Sequence, residues 1–142
     1  MSANANFTTA IHILTFLASQ TEPASSSFIA ASLNTNPVTV RRMVSHLREA
    51  RLVETVAGST GGAMLAQDAA RITLADVYAV VKEESPFGLH PQPPSEMCPV
   101  GRNIQNVLAP VFREVDGLIA IALSKLTIQD IWGQVVVCER QR

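Results

Sequence analysis

The sequence predicts a mainly α-helical protein with one two-stranded hairpin and a long helix near its C-terminus. Three observations support this fold class. Apolar residues recur at helical spacing through most of the chain. Residues 52–66 alternate like paired strands around a glycine-rich turn at 58–62. A run of prolines at 85–99 then separates this part from a second helical segment.

Length and composition are those of a globular protein. With 142 residues, of which 47% are hydrophobic and 16% charged, the chain can bury one modest core. No apolar run approaches the roughly 18 residues of a membrane span, and residues 1–7 lack the basic start of a secretory signal. We therefore expect a cytoplasmic protein without a membrane partner. Two cysteines, Cys98 and Cys138, without a CxxC pair cannot build a zinc ribbon or a four-cysteine cluster from one chain.

The first predicted helix covers residues 5–20. Its main apolar stripe consists of Phe7, Ala10, Ile11, Leu14, Leu17 and Ala18. Ile13 and Phe16 lie outside this stripe, so the helix is apolar on a second side as well. Such a helix needs a second partner, and two arrangements supply one: a dimer with Ile13 in its interface, or a central position in the core.

Two helices joined by a tight turn are predicted next. Residues 28–33 form a short apolar helix, and Asn36 then caps a second helix, residues 37–51, whose first residue is Pro37. Four of its residues share an inward face: Val40, Met43, Val44 and Leu47. A short helix, a turn and a longer helix with outward arginines form the helix-turn-helix arrangement, in which the second helix enters the major groove of DNA.

The formal net charge of −1 provides no global attraction to nucleic acid. Basic residues are nevertheless clustered, because Arg41, Arg42, Arg48 and Arg51 supply four of the eleven within eleven positions. Beyond residue 72 the chain carries six basic and eight acidic residues. A DNA contact must therefore come from this local patch.

The glycine-rich turn forms the tip of a hairpin, or wing, with strands at 52–56 and 63–66. Glycine lets backbone N–H groups approach phosphates closely, although a plain hairpin turn would use the same residues. Projection of the second helix at about 100° per residue identifies its outward side. The predicted DNA-contacting residues are Val38, Thr39, Arg41, Arg42, Ser45, His46, Ser59, Thr60, Gly61 and Gly62.

Two short helices are marked by capping residues in the second half of the chain. Thr73 with Asp76 forms a capping-box pattern and opens a helix that we expect to end near Glu84. Thr127 caps a last helix at 128–135, which we expect to pack back on the rest of the chain.

A long helix is predicted between them, at residues 100–126, with a kink at Pro110. Its apolar stripe exceeds what a core of this size can cover, which predicts a homodimer. The predicted interface consists of Ile13, Ile104, Val107, Leu108, Val111, Val115, Leu118 and Ala122.

Residues 10–84 and 98–105 resemble the Rrf2 family of bacterial winged-helix regulators. The most specific motifs lie at 10–14, 36–54, 58–62 and 72–77. Relatives include the iron–sulfur cluster regulator, the nitric-oxide-sensing repressor and the cysteine-metabolism repressor. The resemblance implies a homodimer on a roughly palindromic operator in double-stranded DNA, with recognition helices in successive major grooves and wing tips at the minor groove.

The cysteine content distinguishes this chain from cluster-binding relatives. Those carry three cysteines between the helix after the wing and the dimer helix, whereas this chain has only Cys98 there. The resemblance is therefore to the cluster-free branch, and it implies no iron–sulfur cofactor. If Pro99 begins the long helix, the helix dipole and Arg102 should lower the pKa of the Cys98 thiol. A redox sensor and an inert loop cysteine both fit this position.

These observations predict a DNA-binding transcriptional regulator built as one compact domain, and the resemblance implies that it is a repressor. The winged helix-turn-helix occupies 1–84, a proline-rich loop 85–99 and the dimerisation region 100–142. No phosphate loop, catalytic triad, paired acids or metal-ligand spacing indicates an enzyme or a metal site. Two alternatives stay open: a winged helix that contacts proteins, and a regulator whose small-molecule signal binds between the proline loop and the long helix. Asn6 and Ala57 are neutral at positions where many relatives have arginine, which favours the winged helix that contacts proteins.

Overall fold

A computed structural model describes residues 3–82, 86–88 and 90–142 of the protein, with side chains from residue 5 onward. The described elements are α1 (Ala3–Ala18), α2 (Ser26–Leu33), α3 (Pro37–Glu49), β1 (Val53–Val56), β2 (Gly62–Leu65), a 3-10 helix (Ala69–Arg71), α4 (Leu74–Val81), α5 (Pro99–Leu123) and α6 (Ile128–Arg140). The two strands pair in antiparallel fashion. The predicted fold class, a mainly helical winged helix-turn-helix with a long C-terminal helix, is confirmed.

The core forms around α1, which packs against α2, α3, α4, α6 and β2. Its largest fully buried side chains are Ile13, Leu14, Ile29, Val40, Leu47, Val53, Ile72, Val77 and Ile128. Ile13 has no exposed surface even in the single chain. The second apolar side of α1 therefore faces the core of its own chain, and the prediction that Ile13 lies in a dimer interface is wrong.

The helix starts follow the predicted capping residues. Asn36 accepts a hydrogen bond from the backbone N–H of Val38 over 2.8 Å, and Pro37 is the first residue of α3. Thr73 and Thr127 each form a reciprocal capping box with the aspartate three residues later. These contacts satisfy amide groups that lack partners at a helix start, so local sequence fixes where α3, α4 and α6 begin.

The observed helix ends differ from the predicted ends more than the observed helix starts differ from the predicted starts. The α4 helix ends at Val81, and the predicted end at Glu84 lies outside the described residues. The α6 helix continues to Arg140, past the predicted end at 135, because no glycine or proline follows to stop it. Pro110 lies inside α5, and the kink there stays a prediction.

The α6 helix packs back on the helix-turn-helix core, as predicted. Ile128 is fully buried, and its backbone N–H donates to the carbonyl of Ile72 over 2.8 Å. The backbone N–H of Leu74 donates to the carbonyl of Leu126 over 2.9 Å. The C-terminal segment thus shares one core with the N-terminal elements.

The α5 helix is joined to α4 by a polar cluster. Asp116 accepts hydrogen bonds from the Tyr78 hydroxyl and from the Lys82 ammonium group, each over 2.9 Å. These two bonds, the one from Lys82 foremost, hold the pKa of Asp116 below its ordinary value. Burial and the bond to Asp116 raise the pKa of Tyr78. The cluster fixes the position of α5 relative to the core.

Replacing Asp116 by asparagine should lower the melting temperature by a few degrees at neutral pH, because the ion pair with Lys82 is lost. A carboxylate whose folded pKa is depressed stabilises the protein above its unfolded pKa, and this stabilisation disappears as pH falls through the folded pKa. The difference between wild type and Asp116→Asn should therefore shrink below about pH 4. Thermal unfolding of both proteins from pH 3 to 8 measures it, and a constant difference would contradict this account.

Candidate DNA-contact surface

The outward side of α3 carries the predicted recognition residues. Val38 is 51% exposed, Arg41 and Arg42 are exposed, and Ser45 is half-buried. Within the part of the chain that the structure describes, neither guanidinium group of Arg41 and Arg42 has a hydrogen bond or an ion pair. Their charge is therefore available to an external anion.

The opposite side of α3 anchors the helix. Val40 and Leu47 are fully buried, and Met43 and Val44 are nearly so. This apolar stripe lies against α1 and α2, as the helical spacing predicts. The outward residues are thus presented by a rigid helix rather than by a loop.

Two contacts that the sequence did not reveal connect the end of α3 to the wing. The Arg48 guanidinium donates to Thr55 Oγ1 of β1 over 3.3 Å. The Gln67 amide donates over 3.0 Å to the carbonyl of Arg51, a residue with left-handed backbone at φ 62°. Each contact joins α3 or its end to a residue outside that helix, so helical spacing gives no signal for it. Of the four clustered arginines, Arg48 therefore has a structural contact, whereas Arg41 and Arg42 have none with the described residues.

The wing is a short hairpin in which Val53 pairs with Leu65 and Val56 with Gly62. Ser59 and Thr60 are exposed at its tip, and the Gly61 N–H donates back to the Gly58 carbonyl over 3.1 Å. The tip therefore presents two hydroxyl side chains on a closed turn. This geometry suits contact with a phosphate backbone.

The base of the wing is fixed to the loop before α2. Ala24 and Ala63 exchange two backbone hydrogen bonds of 2.8 and 2.9 Å. Gly62 has φ 152°, and a Cβ there would collide with the backbone carbonyl of Ala24. This packing accounts for the glycine at position 62, for which the sequence leaves open both a close approach to a phosphate and a plain hairpin turn.

His46 lies at one edge of the outward side of α3. It lines an open cleft of about 560 Å³ between α3 and α4, together with Glu49, Gln67 and Asp76. The imidazole is exposed and lies one helical turn after Arg42, on the same side of α3 as Arg42. Thr39, half-buried, lies at the same edge of α3.

The predicted sensor residue lies at the start of α5. Cys98 is the N-cap residue, Pro99 the first helical residue, and the thiol is exposed. The backbone N–H groups of Gly101 and Val100 lower the pKa of Cys98, although the thiol caps neither of them with a formed hydrogen bond. Arg102 was expected to contribute, but its guanidinium donates to the Glu96 carbonyl over 3.3 Å and is not a cause of the shift.

The apolar stripe of α5 stays uncovered in the single chain. This helix of 25 residues contains no buried residue. Ile104, Leu108 and Val115 are partly exposed, and the other predicted interface residues of α5, Val107, Val111, Leu118 and Ala122, are exposed. The proline-rich segment meets this helix through Phe87 and Phe112, whose ring centroids are 4.9 Å apart. No helix of the described residues is long and apolar enough to cross a membrane.

A family model named Rrf2, described as an iron-dependent transcriptional regulator, matches residues 3–134. The chain belongs to the Rrf2 family. It is 43% identical over 129 residues to YwnA of Bacillus subtilis strain 168, an HTH-type transcriptional regulator, covering 90% of this chain and 95% of YwnA. Proteins of this family are transcriptional regulators and not enzymes, so this chain is a transcriptional regulator.

Solved structures share the fold of this Rrf2 protein. A crystal structure described as that of a DNA-binding protein is 39% identical, with a TM-score of 0.71 over 89% of this chain and 97% of that one. Two more distant structures show the same fold: IscR of T. potens, 20% identical with a TM-score of 0.69 over 95% and 88%, and CymR of B. subtilis, 21% identical with 0.64 over 94% and 95%.

The iron named in the family description would need ligands from the residues of this Rrf2 protein. Iron–sulfur clusters are held by about four cysteine or histidine ligands. The chain has two cysteines, and in the described ranges no three His, Cys, Asp or Glu side chains lie together as a metal site. The two cysteines of one chain therefore cannot hold such a cluster by themselves.

Proposed function

We propose that this protein is a sequence-specific DNA-binding repressor that acts in the cytoplasm as a homodimer on a palindromic operator. The observation that carries the proposal is the outward side of α3, where Arg41 and Arg42 are exposed without a partner among the described residues. The exposed wing tip, at Ser59 and Thr60, adds polar groups for phosphate contact. Occupying an operator would block transcription directly. Selection of genomic fragments by the purified, reduced protein should enrich one palindromic motif.

The homodimer is supported by the uncovered stripe of α5. Leu118 is 59% exposed and Val107 63%, and both lie on one side of a helix that contributes no buried residue to the core. A second copy that packs its own α5 against this stripe would cover it and give two-fold symmetry. The two recognition helices would then face two half-sites.

Substituting Arg42 by alanine should weaken operator binding at least about fivefold, because each subunit loses one charged contact to DNA. If that contact is to a phosphate, the slope of log affinity against log salt should fall by about two per dimer. Titration of a labelled operator from 50 to 300 mM salt measures both quantities.

Arg140→Ala is the matched control, because Arg140 is an exposed arginine at the far end of α6. It should leave affinity and slope nearly unchanged. Equal effects of the two substitutions would contradict a recognition role for α3. A protein that enriches no motif and shows no salt-dependent binding would instead be a winged helix used for protein contact.

We further propose that Cys98 senses oxidants and that no iron–sulfur cluster is involved. Its lowered pKa and full exposure give a larger thiolate fraction near neutral pH than an ordinary thiol has. Mild thiol oxidation should release wild-type protein from its operator, whereas Cys98→Ser should stay bound. Cys138→Ser, which removes the other exposed cysteine, should behave like wild type. A wild type insensitive to oxidation would favour a small-molecule signal.

A further inference from the structure

The outward side of α3 contains one apolar residue among polar ones. Val38 is 51% exposed, and the residues three and four positions later on the same side are Arg41 and Arg42. It lies in the first turn of the helix, the end that a recognition helix inserts most deeply into the major groove. Val38 makes no contribution to the buried core.

The backbone at Val38 is held rigidly. Its N–H donates to Asn36 Oδ1 over 2.8 Å, and Pro37 restricts the preceding backbone angle. A β-branched side chain in a helix has one strongly preferred rotamer. The two methyl groups of Val38 therefore project from a fixed place and lose little freedom when they are covered.

We infer that Val38 recognises the 5-methyl group of a thymine in each half-site, an inference that rests on the proposed function. In the major groove, the only apolar group that a base pair presents is this methyl group. Polar bases opposite Val38 would lose hydrogen bonds to water without a replacement. The neighbouring Arg41 and Arg42 would bind phosphate or guanine. Val38 therefore adds a preference for thymine that charged contacts alone cannot give.

The test replaces each thymine of the selected operator by deoxyuridine, one symmetric pair at a time. Deoxyuridine removes only the methyl group and keeps base pairing. At one position, wild-type affinity should fall about three- to fivefold per half-site, the effect of one apolar group left exposed. Val38→Ala should bind the thymine operator correspondingly less well and show no further loss with deoxyuridine at that position.

Val135→Ala is the matched control, because Val135 is 46% exposed on α6, away from α3. It should respond to deoxyuridine as wild type does. Alanine favours helix more than valine does, so Val38→Ala should fold. Specific binding in which wild type and Val38→Ala respond alike to every deoxyuridine would overturn the inference and leave the proposed function intact. Failure to select any operator would overturn both.

Discussion

Replacing Leu118 by glutamate is expected to convert the proposed dimer into a monomer and to lower operator affinity at least hundredfold. Leu118 is the residue of the α5 stripe whose side chain is 59% exposed in the single chain. In the proposed dimer, two glutamates related by symmetry would bury unpaired like charges at the interface, which is strongly unfavourable. A monomer contacts one half-site and loses the gain from linking two binding events, typically 10²–10⁴-fold.

Val137→Glu separates this effect from a general effect of surface charge. Val137 is an exposed valine on α6, outside the α5 stripe, and its substitution should leave both dimerisation and DNA binding unchanged. Sedimentation measures the oligomeric state, and operator titration measures affinity. The helix-turn-helix core does not include Leu118, so the circular dichroism of the monomer should stay helical. A Leu118→Glu protein that remains dimeric would show that α5 is not the interface.

Local signals allowed much of this architecture to be predicted from the sequence. Asn36 with Pro37, and Thr73 with Asp76, determine helix starts through contacts within four residues, and both were identified correctly. The alternation of 52–56 around the glycine turn likewise located the wing. Such features depend on neighbours in the chain, which a single sequence displays.

Contacts between distant residues could not be predicted in the same way. The bond from Arg48 to Thr55 and the cluster of Asp116 with Tyr78 and Lys82 depend on how separate elements are placed in space. The clustering of arginines in the sequence placed Arg48 in the predicted DNA-binding patch, because a cluster in the sequence does not show which way each side chain points. The structure separates the arginine that supports the wing from those that face outward.

The position of Ile13 likewise could not be decided from the sequence, and substitutions of Ile13 test the structure of the core. Its place outside the main apolar stripe of α1 fitted a dimer interface as well as a central helix. Because it is fully buried in the single chain, Ile13→Ala should lower the free energy of unfolding by about 2–5 kcal/mol, the sum of lost burial and a new cavity. Ile13→Val should cost about 0.5–1.5 kcal/mol.

Denaturant unfolding at one fixed protein concentration measures these changes, since the stability of a dimer depends on concentration. Val137→Ala, a truncation at an exposed site, should stay within about 0.5 kcal/mol of wild type. If Ile13 instead contacted a partner, Ile13→Ala would raise the dissociation constant of the dimer and leave the unfolding of the monomeric Leu118→Glu protein unchanged. Measuring Ile13→Ala in that monomeric background therefore isolates the contribution of the core, because a core residue destabilises the chain whether or not a partner is bound.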